Sequence, residues 1–342
     1  MSHCNYTPSR RLLSMAELNT WKTLNIRLAD HLRSLGEETG EHRYFSKADR
    51  AKYCSTFWNG FFCESCGKFH GMHTTGCKNR LCPICATRTA RVTAIQAVEA
   101  IDKVQQKYPE CKLSLLTLTQ RNIAGPDLSQ EISKMLKGWS YLINRAPVRR
   151  LIGWARTIEI VPAINGGTMY HPHIHAIIIH HPHNNLPSVT WFQQAWKEGM
   201  GLDYFPVCDL RPIEDEQGAV FEVSKYVSKM TRVYDGSANE HDHVRYMSEA
   251  MESRRLRTYG GEWRKARIEL NITDAEELDD DALDEYGELN DLSGACPNCG
   301  SGTVPACLRW SGLRYVSIPD QIEVIPIKDL HGLSTWDDSY TT

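Results

Sequence analysis

The stretch Tyr170-His171-Pro172-His173-Ile174-His175-Ala176-Ile177-Ile178-Ile179 organises this 342-residue chain. Alternate residues of a β-strand share a face, so His171, His173 and His175 point one way while Ile174 and Ala176 point the other. From Ala176 to Ile179 the run is apolar on both faces, the pattern of a buried central strand. Neutral imidazole is a common metal ligand, and a row of imidazoles at the edge of such a strand suits one ion. The competing reading is a strand that merely carries surface histidines, in a chain that has 14 of them.

What precedes the histidine row weighs toward the metal. Trp154 to Val161 (WARTIEIV) reads as a strand with Thr157, Glu159 and Val161 on one face, and Asn165-Gly166-Gly167 is a hairpin turn signal. Residues equidistant from a turn centred near 166 pair across the hairpin, which sets Glu159 opposite His173. A carboxylate then stands beside His173 and His175 on one face. Leu113 to Thr119 reads as a further strand, and residues 86–108, 128–145 and 189–198 have helical spacing. Residues 14–35 form an amphipathic helix opened by a Ser14/Glu17 capping box and stopped at Gly36, with 37–52 as a charged linker.

Twelve cysteines punctuate the chain, and most are spaced as metal ligands rather than as a disulfide framework. Cys63-x2-Cys66 and Cys82-x2-Cys85 are two knuckles with the separation of a four-cysteine zinc site, which needs no open position and is therefore structural. The expected ligands are Cys63, Cys66, Cys82 and Cys85, with Cys77, His70 or His73 as substitutes or as members of a second site. Cys296, Cys299 and Cys307 resemble half of another zinc ribbon.

Residues 219–233 (AVFEVSKYVSKMTRV) read as a helix with Glu222, Tyr226 and Lys229 on one polar stripe. A tyrosine flanked by lysines is suited to nucleophilic attack, because ammonium groups favour phenolate and hold a phosphate diester. Tyr234, two turns on, is a second candidate nucleophile.

Charge is unevenly shared. Between Asp274 and Asp291 there are ten Asp or Glu and no Lys or Arg, so residues 1–273 carry a net charge of +9 within a chain of net charge −3. A basic body fits a polyanionic partner. Arg80 and Arg88 beside the cysteines, and Arg254, Arg255 and Arg257 near Tyr259-Gly260-Gly261, are the expected DNA contacts. The acidic stretch reads as a disordered or weakly helical linker. No segment approaches the ~18–20 apolar residues of a membrane span and the N-terminus lacks a signal-peptide core, so a cytoplasmic protein is expected.

Taken in order, Leu116-Thr-Leu-Thr119, His171-Pro-His173-Ile-His175 and Glu222-x3-Tyr226-x2-Lys229 resemble the three motifs of rolling-circle plasmid replication initiators of the HUH endonuclease superfamily. Cys77-Lys-Asn-Arg-Leu-Cys82-Pro-x-Cys85 and Arg254-Arg255-x3-Tyr259-Gly-Gly261 are similar to further features of that family, and the resemblance covers about residues 60–270. It implies an α+β fold, an antiparallel sheet with helices on one face, plus a small zinc module and helical additions. It also implies a divalent ion, Mg²⁺ or Mn²⁺, held by His173, His175 and a third ligand, for which Glu159 is the candidate, with His171 only orienting the site.

The implied reaction is nicking of single-stranded origin DNA by Tyr226, giving a 5′-phosphotyrosine and a free 3′-OH primer. Lys229 positions the phosphate and Glu222 completes termination. Expected partners are single- and double-stranded origin DNA and host helicase and polymerase. The chain then divides into an N-terminal helical segment (1–52), a zinc module with the following helix (53–108), a nuclease core (109–235), a basic helical extension (236–273) and an acidic linker with a small cysteine-containing segment (274–342). Three other readings compete: an HUH transposase with the same metal–tyrosine chemistry, a histidine-triad nucleotide hydrolase read from HxHxH, and a zinc-stabilised DNA-binding regulator.

Overall fold

The computed structural model describes residues 13–163, 167–182, 186–214, 233–234, 236–286, 295–296 and 298–318. Among these, the chain opens with β1 (Leu13–Ser14), α1 (Met15–Thr39), α2 (His42–Tyr53), β2 (Phe57–Cys63), β3 (Lys68–His73) and α3 (Pro83–Lys107). Next come β4 (Lys112–Thr119), β5 (Ile123–Ala124), α4 (Gly125–Ile143), α5 (Ala146–Arg149), β6 (Gly153–Pro162), β7 (Met169–His180), α6 (Val189–Met200) and β8 (Cys208–Ile213). The remainder is α7 (Glu240–Met251), β9 (Arg257–Gly260), α8 (Gly261–Glu269), α9 (Asp280–Glu285), β10 (Val304–Trp310) and β11 (Tyr315–Ile318). Together they make an α+β protein with two antiparallel sheets and flanking helices.

The histidine strand β7 is central, in the order β8-β4-β7-β6-β9, with β5 also paired to β7. Its register sets Glu159 across from His173 and Thr157 across from His175, and on the other side Thr119 and Thr117 across from the same histidines. Each step of two residues along the face gives a new row. Thr119–His173–Glu159 and Thr117–His175–Thr157 are polar, while Leu115–Ile177–Ala155 and Leu113–Ile179–Gly153 are not.

That change along one face decides where the helices sit. The isoleucine rows are buried under Ala97, Ala100, Ile101 and Val104 of α3 and Trp263 and Ala266 of α8. On the opposite face Leu116, Leu118, Ile158, Ile174, Ala176 and Ile178 pack on Leu128, Ile132, Met135 and Trp139 of α4 and Phe192 and Trp196 of α6. Helices therefore cover both faces, not one as expected. A one-residue slip would put His173 or His175 in the buried place of Ile174, and with ~1.5–3 kcal/mol per buried isoleucine the register is strongly specified.

The second sheet runs β1-β3-β2-β10-β11. It joins residues 57–73 to residues 304–318, so the cysteine module and the C-terminal cysteine segment, separate in the sequence reading, form one sheet. The acidic stretch is likewise no loose linker where it is described. It forms α9, and Ala275 and Leu283 are buried with Val92 of α3. Residues 37–52 are not a linker either, because Tyr44, Ala48 and Ala51 bury one side of α2 against α1. The capping box is present, but α1 passes Gly36 and ends at Gly40, whose φ of 69° is left-handed.

The expected basic helical extension contributes a sheet strand. Residues Arg257–Gly260 pair with Trp154–Thr157 of β6. A Cβ on Gly260 would lie 2.2 Å from the Trp154 ring, and Gly261 (φ +59°) abuts the Ile152 carbonyl. The Tyr-Gly-Gly motif thus closes the sheet edge onto α8.

Candidate functional site

Three sets of metal-ligand side chains converge among the described residues: Glu159 with His173 and His175, Cys54 with Cys77, Cys82 and Cys85, and Cys63 with Cys66, Cys296 and Cys299. Within each set the ligand atoms all lie within 4.8 Å of one another.

In the first set, Glu159 Oε2 meets His173 Nε2 and lies 3.2 Å from His175 Nε2. The distal ring nitrogens are held as well. His173 Nδ1 is 3.2 Å from the His171 carbonyl, which can only accept, and His175 Nδ1 is 3.1 Å from Thr117 Oγ1. At His173, with Nδ1 donating to the carbonyl, Nε2 turns its lone pair toward Glu159, the tautomer a metal ligand needs, and at His175 the Thr117 hydroxyl can accept from Nδ1 and leave Nε2 in the same state. Two imidazole nitrogens and a carboxylate at 3 % exposure, brought to one point, are a donor set that could hold a cation. The residues therefore fit a divalent ion with open coordination positions. His171 itself turns to Asn122, with Nδ1 3.1 Å from Oδ1, and lies outside the set.

The expected zinc quartet is not one site. Cys63 and Cys66 meet Cys296 and Cys299, whereas Cys82 and Cys85 meet Cys54 and Cys77. The reason is topological. Cys63 and Cys66 sit at the β2–β3 turn, at the far end of β2 from Cys54, and Cys82 and Cys85 sit at the start of α3, next to Cys54. Sulfur separations in the second set are 3.5 Å for Cys54–Cys85 and 3.7 Å for both Cys54–Cys82 and Cys77–Cys85. Zn–S bonds of ~2.3 Å in a tetrahedron put sulfurs about 3.8 Å apart, so the spacing fits zinc.

All four of these cysteines are buried. Contact with Cys77 holds the Cys54 thiol well below its ordinary range, and the same contact drives Cys77 well above it, while burial raises Cys82. Thiols that cannot ionise together unaided are the set a cation completes. Lys22, fully buried, donates to the Lys52 carbonyl at 2.8 Å and to the Cys54 carbonyl, and supplies positive charge beside the sulfurs.

Tyr226, Glu222 and Lys229 lie outside the described residues. Tyr234 does not serve as a second nucleophile. Its hydroxyl donates to the Leu81 carbonyl at 2.7 Å, and burial pushes the phenol well above its usual range.

Four of the five expected DNA-contacting arginines turn inward. Arg88 pairs with Asp280 and Asp284, both at 2.8 Å, and Arg257 with Glu276 at 3.0 Å. Arg254 donates to the Glu249 and Ala250 carbonyls, and Arg80 to those of Met251 and Arg254. These cations complete the carbonyl end of α7, where helix dipoles favour positive charge. Only Arg255 of the five is exposed.

Sequence reasoning missed Cys54, which has no CxxC partner, and Thr117, whose role needs the β4–β7 register. It also missed a cationic and aromatic loop after α6. Arg121 stacks over Tyr204 with 3.9 Å to the ring centroid, and Lys197 lies over Phe205 at 4.2 Å. Phe205 is 62 % exposed, and Thr119, in the row of His173 and Glu159, holds this loop through Val207.

The family model described as "Replication protein" matches residues 69–296. The chain belongs to the replication protein (Rep) family. The match and the relatives below place it among the plasmid rolling-circle replication initiators. Several of its relatives are named "Protein rep". One, from Bacillus amyloliquefaciens, is 31 % identical over 275 residues, spanning 73 % of this chain and 80 % of the relative. Another, from a Bacillus species, is 31 % identical over 278 residues, spanning 74 % and 90 %. A "Protein rep" from Lentilactobacillus hilgardii is 27 % identical over 281 residues, spanning 77 % and 86 %. No solved structure gives a significant match. Among the described residues no helix is long and apolar enough to cross a membrane.

Proposed function

We infer that this Rep protein initiates plasmid replication by nicking single-stranded origin DNA with Tyr226, at a site built on an HUH endonuclease core. The observation that carries the reading is the convergence of Glu159 Oε2 with the Nε2 atoms of His173 and His175 on the polar rows of the central strand. Mg²⁺ or Mn²⁺ held there by Glu159, His173 and His175 would act as a Lewis acid on the scissile phosphate. The Tyr226 oxygen, its proton removed, attacks phosphorus. The bond to the 3′ oxygen breaks, that oxygen takes up a proton, and the 5′ phosphate remains on the tyrosine. Lys229 holds the phosphate, and Glu222, four residues before Tyr226 in the sequence, serves as the base that lets strand transfer end the cycle.

Thr117 and the His171 carbonyl orient the two imidazoles. Zinc at Cys54, Cys77, Cys82 and Cys85 is structural, with no open position. Since four of the expected arginines are internal, Arg121, Tyr204 and Phe205 are the better candidates to contact the single strand, joined by Arg255. Relatives bearing replication names favour replication over transposition.

Cleavage of origin-derived single-stranded oligonucleotides tests this. Mn²⁺-dependent nicking should vanish in Tyr226→Phe and in His175→Ala with the melting profile retained. Nicking that survives Tyr226→Phe would overturn the reading.

A further inference from the structure

The sets Cys54/Cys77/Cys82/Cys85 and Cys63/Cys66/Cys296/Cys299 are built differently, and the difference assigns the latter a role. Cys82 caps α3 and Cys85 lies in its first turn, so the chain after Cys85 continues as helix. Cys63-Glu-Ser-Cys66-Gly67 and Cys296-Pro-Asn-Cys299-Gly300 instead share a Cys-x2-Cys-Gly pattern. In both, the glycine after the second cysteine is left-handed, with φ of 66° at Gly67 and 74° at Gly300. In both, that glycine's N–H donates to the first cysteine's carbonyl, at 2.9 Å and 2.7 Å. Such a turn aims two sulfurs at one point, and a residue with a Cβ is strained at its glycine.

The two turns face each other across 230 residues of sequence. Cys63 Sγ is 3.6 Å from Cys299 Sγ, and Cys66 Sγ is 3.6 Å from Cys296 Sγ. The tetrahedral spacing of about 3.8 Å for ~2.3 Å bonds is met again. The buried His70 has Nε2 3.5 Å from Cys296 Sγ, placed to donate to a thiolate, and Lys68 Nζ reaches Asn298 between the second pair of cysteines at 3.2 Å.

One turn ends β2 and begins β3, and the other leads into β10, which pairs with β2 from Val304↔Phe62 to Arg309↔Phe57. We propose that Cys63, Cys66, Cys296 and Cys299 hold a second zinc ion, which clasps the C-terminal hairpin β10–β11 onto the N-terminal hairpin β2–β3. The chain is then a two-zinc protein in which this ion closes a loop of more than two hundred residues around the whole nuclease sheet. The two ions differ in access. The ligands of one are all buried, whereas Cys299 is exposed and Cys66 half-buried, so the clasp opens first when a chelator competes.

Thiolate-bound zinc, released with a mercurial reagent and counted per chain, tests the proposal without reading any ion at Glu159, His173 and His175. Wild-type protein should release two zinc ions and the Cys296→Ser/Cys299→Ser variant one. A wild-type count of one, or a variant count of two, overturns the proposal. Should the variant not fold, wild-type protein in dilute chelator gives an independent answer. The first zinc lost should be accompanied by faster amide hydrogen exchange in 57–73 and 304–318, with α3 unchanged. Release with no change in 304–318, or release together with unfolding of α3, overturns it.

Discussion

Thr117→Val isolates the orienting contact at the proposed metal centre. Valine keeps the shape and β-branching of threonine, so β4 and its pairing with β7 should persist, with a stability loss of about 0.5–1.5 kcal/mol for one hydrogen bond. What is removed is the hydroxyl 3.1 Å from His175 Nδ1. That imidazole is then free to rotate or to take the other tautomer, with the proton on Nε2. Losing such a supporting contact costs roughly 10- to 100-fold in metal affinity, or ~1.4–2.7 kcal/mol. The assay is nicking rate against Mn²⁺ concentration on a single-stranded origin oligonucleotide. The half-saturating concentration should rise by that factor with the plateau rate retained, and Thr117→Ser, which keeps a hydroxyl, should stay near wild type. An unchanged midpoint in Thr117→Val would refute the orienting role. So would a lowered plateau with no shift in the midpoint, because the contact would then act on the chemical step.

Further substitutions separate structural from DNA-contacting groups. Arg88→Met leaves Asp284 buried without its cation, and removal of one member of a buried pair costs ~3–5 kcal/mol in a denaturation curve. Phe205→Ala should weaken single-strand binding by ~1–3 kcal/mol, the value of one stacked base, in an anisotropy titration with an unchanged melt. Gly260→Ala drives a methyl into the Trp154 ring and should cost ~1–3 kcal/mol by overpacking, read by chemical denaturation. Lys22→Met should speed zinc loss to a chelator by removing the ammonium beside the Cys54 cluster; an unchanged release rate would show that the charge is not felt there.

Local periodicity made the central hairpin legible. A period of two and a turn centred near 166 were enough to set Glu159 opposite His173, and the pairing observed is the same. Partition of the cysteines was not legible from distance along the chain. Cys66 and Cys82 are 16 residues apart yet serve different clusters, while Cys66 and Cys296 meet across 230. One signal was available, since glycine follows Cys66 and Cys299 while alanine follows Cys85. The internal partners of the arginines were not legible, because charge pattern does not distinguish a solvated cation from one that caps a helix. Arg254 and Arg80 satisfy the last carbonyls of α7, and the acidic run supplies the counter-ions of Arg88 and Arg257. A carboxylate-rich segment can therefore fold against the body wherever buried guanidinium groups await it.

The most direct test of the nicking mechanism is mass analysis of the covalent protein–DNA adduct. Protein incubated with Mn²⁺ and a single-stranded origin oligonucleotide should yield one DNA-bearing peptide, linked through a 5′ phosphate to Tyr226, and none in His173→Ala or His175→Ala. DNA attached to any other residue, or an adduct that forms undiminished without His173 and His175, would contradict it.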